Sequence, residues 1–108
     1  MLTIEHSLTG QNIQVANSDF KVEMTWDQAK EACNDLGDGW RLPSIEELEA
    51  MYSQLHKFGK GNFKNEEWYW SSGQESSDKA LCQHFGEPNS QGVSRKSVLY
   101  WVRAVRTI

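Results

Sequence analysis

Cysteine is scarce in this chain: among 108 residues there are two, Cys33 and Cys82. Two thiols make one disulfide at most, and alone they cannot build a tetrahedral zinc site. Long apolar runs are missing, and no window approaches the roughly 18 apolar residues of a membrane span. Met1 to Gly10 lacks the basic start and apolar run of a secretory leader. The expectation is a chain that stays inside the cell, or one from which a leader has been removed. Positive charge is the minority sign, with 11 Lys and Arg against 15 Asp and Glu and a net charge of −4. That balance argues against general nucleic-acid binding, which needs cationic surface to displace counterions. There is no phosphate-binding glycine loop, no internal repeat and no linker. The three histidines, His6, His56 and His84, lie far apart, and no local signature joins them to a nucleophile.

What is abundant is aromatic residue: five Trp, three Tyr and four Phe. Large aromatic side chains bury much area each, so a small core needs few of them. The length suits one domain, residues 1–108, with a single core. Apolar residues at 38% and charged ones at 24% mark it as globular.

The clearest local signal is Trp40-Arg41-Leu42-Pro43-Ser44-Ile45-Glu46-Glu47-Leu48. Proline holds Leu42 extended. Ser44 with Glu47 forms an S-x-x-E capping box, and Glu46, Glu47 and Glu49 suit the positive end of a helix dipole. A helix is expected from about Ile45 to His56, with Ile45, Leu48, Tyr52 and Leu55 facing inward. An earlier helix is capped by Thr25 and Gln28, carries Trp26, Ala29, Cys33 and Leu36 as its apolar stripe, and stops at Gly37. Strands are expected at Leu2 to Gln14 with a turn near Gly10, at Glu67 to Ser72, at Ala80 to Phe85 and at Val93 to Ser97. A last one, Val98 to Ile108, is apolar on both faces and suits the middle of a sheet. The sum is an α+β domain, two helices packed on a small, mostly antiparallel sheet.

Five motifs then occur in order. They are Met24-Thr25-Trp26-x-x-Ala29-x-x-x-Cys33, Gly39-Trp40-Arg41-Leu42-Pro43-x-x-Glu46-Glu47-Leu48, Tyr69-Trp70-Ser71-Ser72, Ala80 to Phe85-Gly86, and Val102-Arg103-Ala104-Val105-Arg106. Over about Met24 to Arg106 this set resembles the C-terminal domain of the Legionella collagen-like protein, a widespread bacterial family. The resemblance implies a C-type-lectin-like fold, shared with formylglycine-generating oxidases. It also implies a scaffold role for Trp40, Arg41, Leu42, Pro43, Tyr69, Trp70, Ser71, Ser72, Arg103 and Arg106. Family members often carry a cysteine between the last two arginines, where it can pair with the helix cysteine. Ala104 stands there in this chain, so two buried free thiols are expected, and a Cys33–Cys82 bridge would need Cα atoms within about 7 Å.

Glu87-Pro88-Asn89 resembles the calcium-binding E-P-N signature of mannose-type lectins. The later segment that completes such a site reads Trp101-Val102-Arg103 and supplies no further oxygen ligand, whereas calcium takes roughly six to eight. The trio therefore reads as a hairpin turn, with calcium at Glu87 and Asn89 the weaker alternative and no other cofactor or metal expected. Cys33 on a core stripe is a poor place for a reactive thiolate, so an oxidase-like enzyme is disfavoured. The expected function is non-catalytic recognition of a glycan or a protein surface through the loops, trimerisation being a possibility that the family implies. A structural module that meets only protein, in a phage or bacterial surface machine, is the alternative. Candidate contacts are Asn65, Trp68, Glu87 and Asn89, with Arg95 and Lys96 from a basic C-terminal stretch suited to sulfated glycans, the ligand class of adhesin-like relatives. Trp68 is read mainly as packing beside Trp70.

Overall fold

The computed structural model describes residues 1–6 and 8–108. Strands β1 (Leu2–Glu5) and β2 (Asn12–Val15) form a hairpin, followed by helices α1 (Trp26–Asp35) and α2 (Ile45–Gln54). Strands β3 (Glu67–Gln74), β4 (Lys79–Phe85) and β5 (Gln91–Arg95) come next, and β6 (Val105–Thr107) closes the chain. The fold is α+β, as the pattern predicts. In place of one sheet, the described residues form two antiparallel three-stranded sheets, ordered β1-β2-β6 and β3-β4-β5.

Both helices start where their caps require. The side chains of Thr25 and Ser44 accept from the N–H groups of Gln28 and Glu47, and each partner side chain returns a bond to the cap's own N–H. Such boxes satisfy donors that a helix start leaves free. In α1, Trp26, Ala29 and Cys33 are buried, but Leu36, expected to complete the stripe, is 48% exposed. It occupies the C-cap, where the chain is already turning away. Helix α2 ends at Gln54 and tightens into a 3-10 turn over His56–Phe58.

The β3-β4-β5 sheet separates two apolar clusters, because side chains alternate across a strand. Tyr69 and Phe85 join Leu48, Met51 and Leu55 of α2, with Ile4, Ile13 and Val105 of the other sheet. Trp70, Ala80 and Cys82, on the opposite face, meet Trp26, Ala29 and Cys33 of α1. The final segment threads between them. Val102 and Ala104 enter the second cluster, while Trp101 and Val105 turn to the first. Its two apolar faces thus have a different cause from the expected central strand. Only Val105–Thr107 is strand, at the edge of its sheet, and Tyr100 and Trp101 make single bridges to Met24 and Tyr69.

Candidate ligand-binding site

The six residues expected to contact a ligand fall in two places. Arg95 pairs with Lys79 at the start of β4, and the turn carrying Glu87 and Asn89 follows Phe85 at its end. Six residue steps along a strand put about 20 Å between them. The structure does not unite them.

At the turn, Asn89 is committed to the fold. Its amide nitrogen donates to Glu49 Oε2 at 2.7 Å and its amide oxygen accepts from Gln83 Nε2 at 2.7 Å. Gln83 also donates to Glu49 Oε2, at 2.8 Å. Glu49 therefore does more than favour the helix dipole: it ties α2 to β4 and the turn. Glu87 is exposed, and its Oε1 lies 3.5 Å from the Tyr52 hydroxyl. The Asn89 amide is thus bonded on both sides within the fold.

Trp68 is half-buried. Its ring centroid lies 5.1 Å from that of His84 and 6.1 Å from that of Tyr100, which it stacks. Gly92 leaves room beneath it, since a Cβ there would come within 3.1 Å of the indole. Ring neighbours on two sides hold this side chain in place. Exposed Asn65 lies beside the helix end, its Oδ1 3.1 Å from His56 Nε2.

Around Lys96 the arrangement is different. The Trp26 N–H of the backbone donates to the Lys96 carbonyl at 2.9 Å, which fixes the start of α1 against the end of β5. The Trp26 indole donates to the Ser71 carbonyl at 2.8 Å, so its ring is rigidly held. Lys96 Nζ sits 4.3 Å from that ring's centroid and donates to Gln74 Oε1 at 2.6 Å and the Ser77 carbonyl at 3.0 Å. Lys30, one helical turn beyond Trp26, brings a second ammonium to 5.5 Å. Neither lysine makes an ion pair among the described residues. Beside them opens a cleft of about 170 Å³ lined by Trp26, Lys30, Asn34, Arg41, Ser72 and Gln74. Arg95 stands exposed on the neighbouring rim with Lys96. Reading the sequence found Lys96 and Arg95 but missed Trp26 and Lys30, although an aromatic and a cation four apart on a helix was an available signal.

The matched profile is that of the Lcl C-terminal domain, over residues 3–106. The chain belongs to that family. The match includes the first hairpin as well as the motifs from Met24 onward. No curated protein matches the chain.

Of the residues expected to form the scaffold, Arg41, Tyr69, Arg103 and Arg106 tie together segments distant in the chain. Arg41 forks onto Glu47 with bonds of 2.7 and 2.9 Å, and its backbone pairs with Val105. Burial pushes the Glu47 carboxyl up, but the bonds from Arg41 and Ser44 prevail and hold it below the usual range. Arg103 is fully buried and donates to Asp19 Oδ1 at 2.7 Å and to the carbonyls of Ala16 and Asn62 at 2.9 and 3.3 Å. Tyr69 donates to Asp19 Oδ2 at 2.6 Å. Asp19, which reads in the sequence as one residue of a polar turn, is the counter-ion of the core. Arg106 caps Trp40 at 4.9 Å and donates to Gln14. Both cysteines are free and buried, and burial pushes the Cys33 thiol up to about 12. Cys33 and Ala104 share one cluster. The place of the missing partner is filled by a methyl group.

Proposed function

We propose that this domain is a non-catalytic recognition module that binds an anionic glycan at the Trp26–Lys30 cleft, with Lys96 reaching in from the neighbouring rim. The observation that carries this reading is the pair of ammonium groups, 4.3 and 5.5 Å from one indole and free of ion pairs among the described residues. Asn34, Ser72 and Gln74 add amide and hydroxyl groups that suit sugar hydroxyls. The C-type-lectin-like architecture implied by the resemblance, and the sulfated ligands of adhesin-like relatives, support the same reading. Burial raises both thiols, which suits the non-catalytic part of the reading.

The test is binding of the purified domain to immobilised sulfated and unsulfated polysaccharide over a salt series. Sulfate-dependent binding that weakens with salt is expected, and Lys30→Ala with Lys96→Ala should abolish it while the far-ultraviolet circular dichroism stays that of the folded domain. Equal retention on both matrices, or a double variant that binds as well as the parent, overturns the reading. Chelator is expected to change nothing, because Asn89 is spent on Glu49 and Gln83.

One observation favours a module that meets protein only. In the β4–β5 ladder, Gln91 and Val93 direct their backbone groups away from β4, and Val93 is 44% exposed at that edge. An open edge of this kind accepts another strand. Loss of a partner on Val93→Pro, with polysaccharide binding intact or absent, would identify that role.

A further inference from the structure

We propose that the depression around Trp101 is a second site, for a carboxylated sugar, separate from the Trp26 cleft. Its volume is about 310 Å³, and Phe20, Lys21, Asn62, Lys64 and Trp101 line it beside Asp19. That is room for one sugar unit at the lower end of known ligand pockets.

Three observations meet here. The indole N–H of Trp101 is the one buried side-chain polar atom among the described residues that has no hydrogen-bond partner. Native proteins leave few such donors unpaired, so an acceptor is missing from the protein itself. Next, the charge is cationic. Asp19 is matched by Arg103, while Lys21 and Lys64 make no ion pair among the described residues. Last, the Lys64 ammonium lies 4.3 Å from the Trp101 centroid, on a side chain that is exposed. A contact of that kind is weak in water and exchanges easily for a carboxylate. When Lys64 swings onto an incoming carboxylate, the indole face is freed for the C–H face of a pyranose. A ring or hydroxyl oxygen can then accept from the indole N–H, and the Asn62 amide meets a neighbouring hydroxyl.

The frame is rigid where it must be. The backbone N–H of Lys64 donates to the Tyr69 hydroxyl at 2.8 Å, Tyr69 to Asp19, and Arg103 to the Asn62 carbonyl. The backbone N–H of Trp101 donates to the Trp68 carbonyl at 3.0 Å. The two lysine arms move, and the buried indole edge turns outward to present its N–H.

The five indole N–H signals in a nitrogen–proton correlation spectrum provide the readout, with Trp101 assigned from Trp101→Phe. Titration with glucuronate should move the Trp101 signal saturably, and glucose or inorganic sulfate should not. Lys64→Ala should weaken the response about tenfold, close to 1.4 kcal/mol. Lys30→Ala with Lys96→Ala should leave it unchanged, so failure here and failure of the Trp26 cleft are separable. An immobile Trp101 signal under glucuronate, or an equal response to glucose or to sulfate, overturns the proposal. So does a full response in a Lys64→Ala, Lys21→Ala double variant.

Discussion

Arg103 enters the interior because everything its guanidinium needs is waiting there. Asp19 supplies the counter-charge, two carbonyls take further donors, and the Phe63 ring covers it at 4.0 Å. Removing one partner strands the other charge away from water. Arg103→Ala and Asp19→Ala are each expected to cost about 3–5 kcal/mol, read from urea unfolding midpoints. A loss below 1 kcal/mol would mean that water reaches the pair. Cys33 gives a prediction of opposite sense. Its folded-state thiol is raised from 9.0 to about 12, so folding favours the protonated form. That contribution is complete below the ordinary thiol value and is lost as pH rises from about 9 towards 12. Cys33→Ala should flatten this alkaline slope. The same thiol should resist alkylation in the native protein and label at once in denaturant. Asp19 shows where sequence reading stops at this scale: nothing local says that a turn aspartate will face an arginine 84 positions away.

Helix starts are the opposite case, since a capping box is a local device. Thr25→Ala and Ser44→Ala should each cost about 1 kcal/mol by thermal unfolding. Glu47→Ala removes the box and the Arg41 fork together, and about 2 kcal/mol is expected. The fork is also a pH device. The Glu47 carboxyl is lowered on folding, so its contribution is present above the ordinary glutamate range and lost as pH falls through the folded value. Wild-type stability should therefore drop more steeply on acidification than that of Glu47→Gln, and equal slopes would remove Glu47 from the account. Elements held by distant contacts were harder to read. Leu36 has the right spacing for the α1 stripe, yet no partner covers the helix end. The last strand looked continuous because two clusters claim alternate residues of one segment.

That shared segment governs the whole molecule. Trp101 and Val105 pack with one cluster and Val102 and Ala104 with the other, so neither cluster can open without disturbing its neighbour. A single cooperative transition is expected. Leu48→Ala in one cluster and Val102→Ala in the other should each lower the tryptophan-fluorescence and far-ultraviolet midpoints together, with Leu48→Ala costing about 2–5 kcal/mol. Separate midpoints would make the clusters independent. The amino-acid sequence alone determined the two capped helices, the hairpin strands, the α+β class and the family, because caps, turns and periodicity act over a few residues. Only tertiary structure decided that there are two sheets and not one. It also set Asp19 against Arg103, took Asn89 into the fold, and brought the Lys30 and Lys96 ammonium groups to the Trp26 ring. Those pairings join residues far apart in the chain, and their strength comes from burial, which no local pattern records.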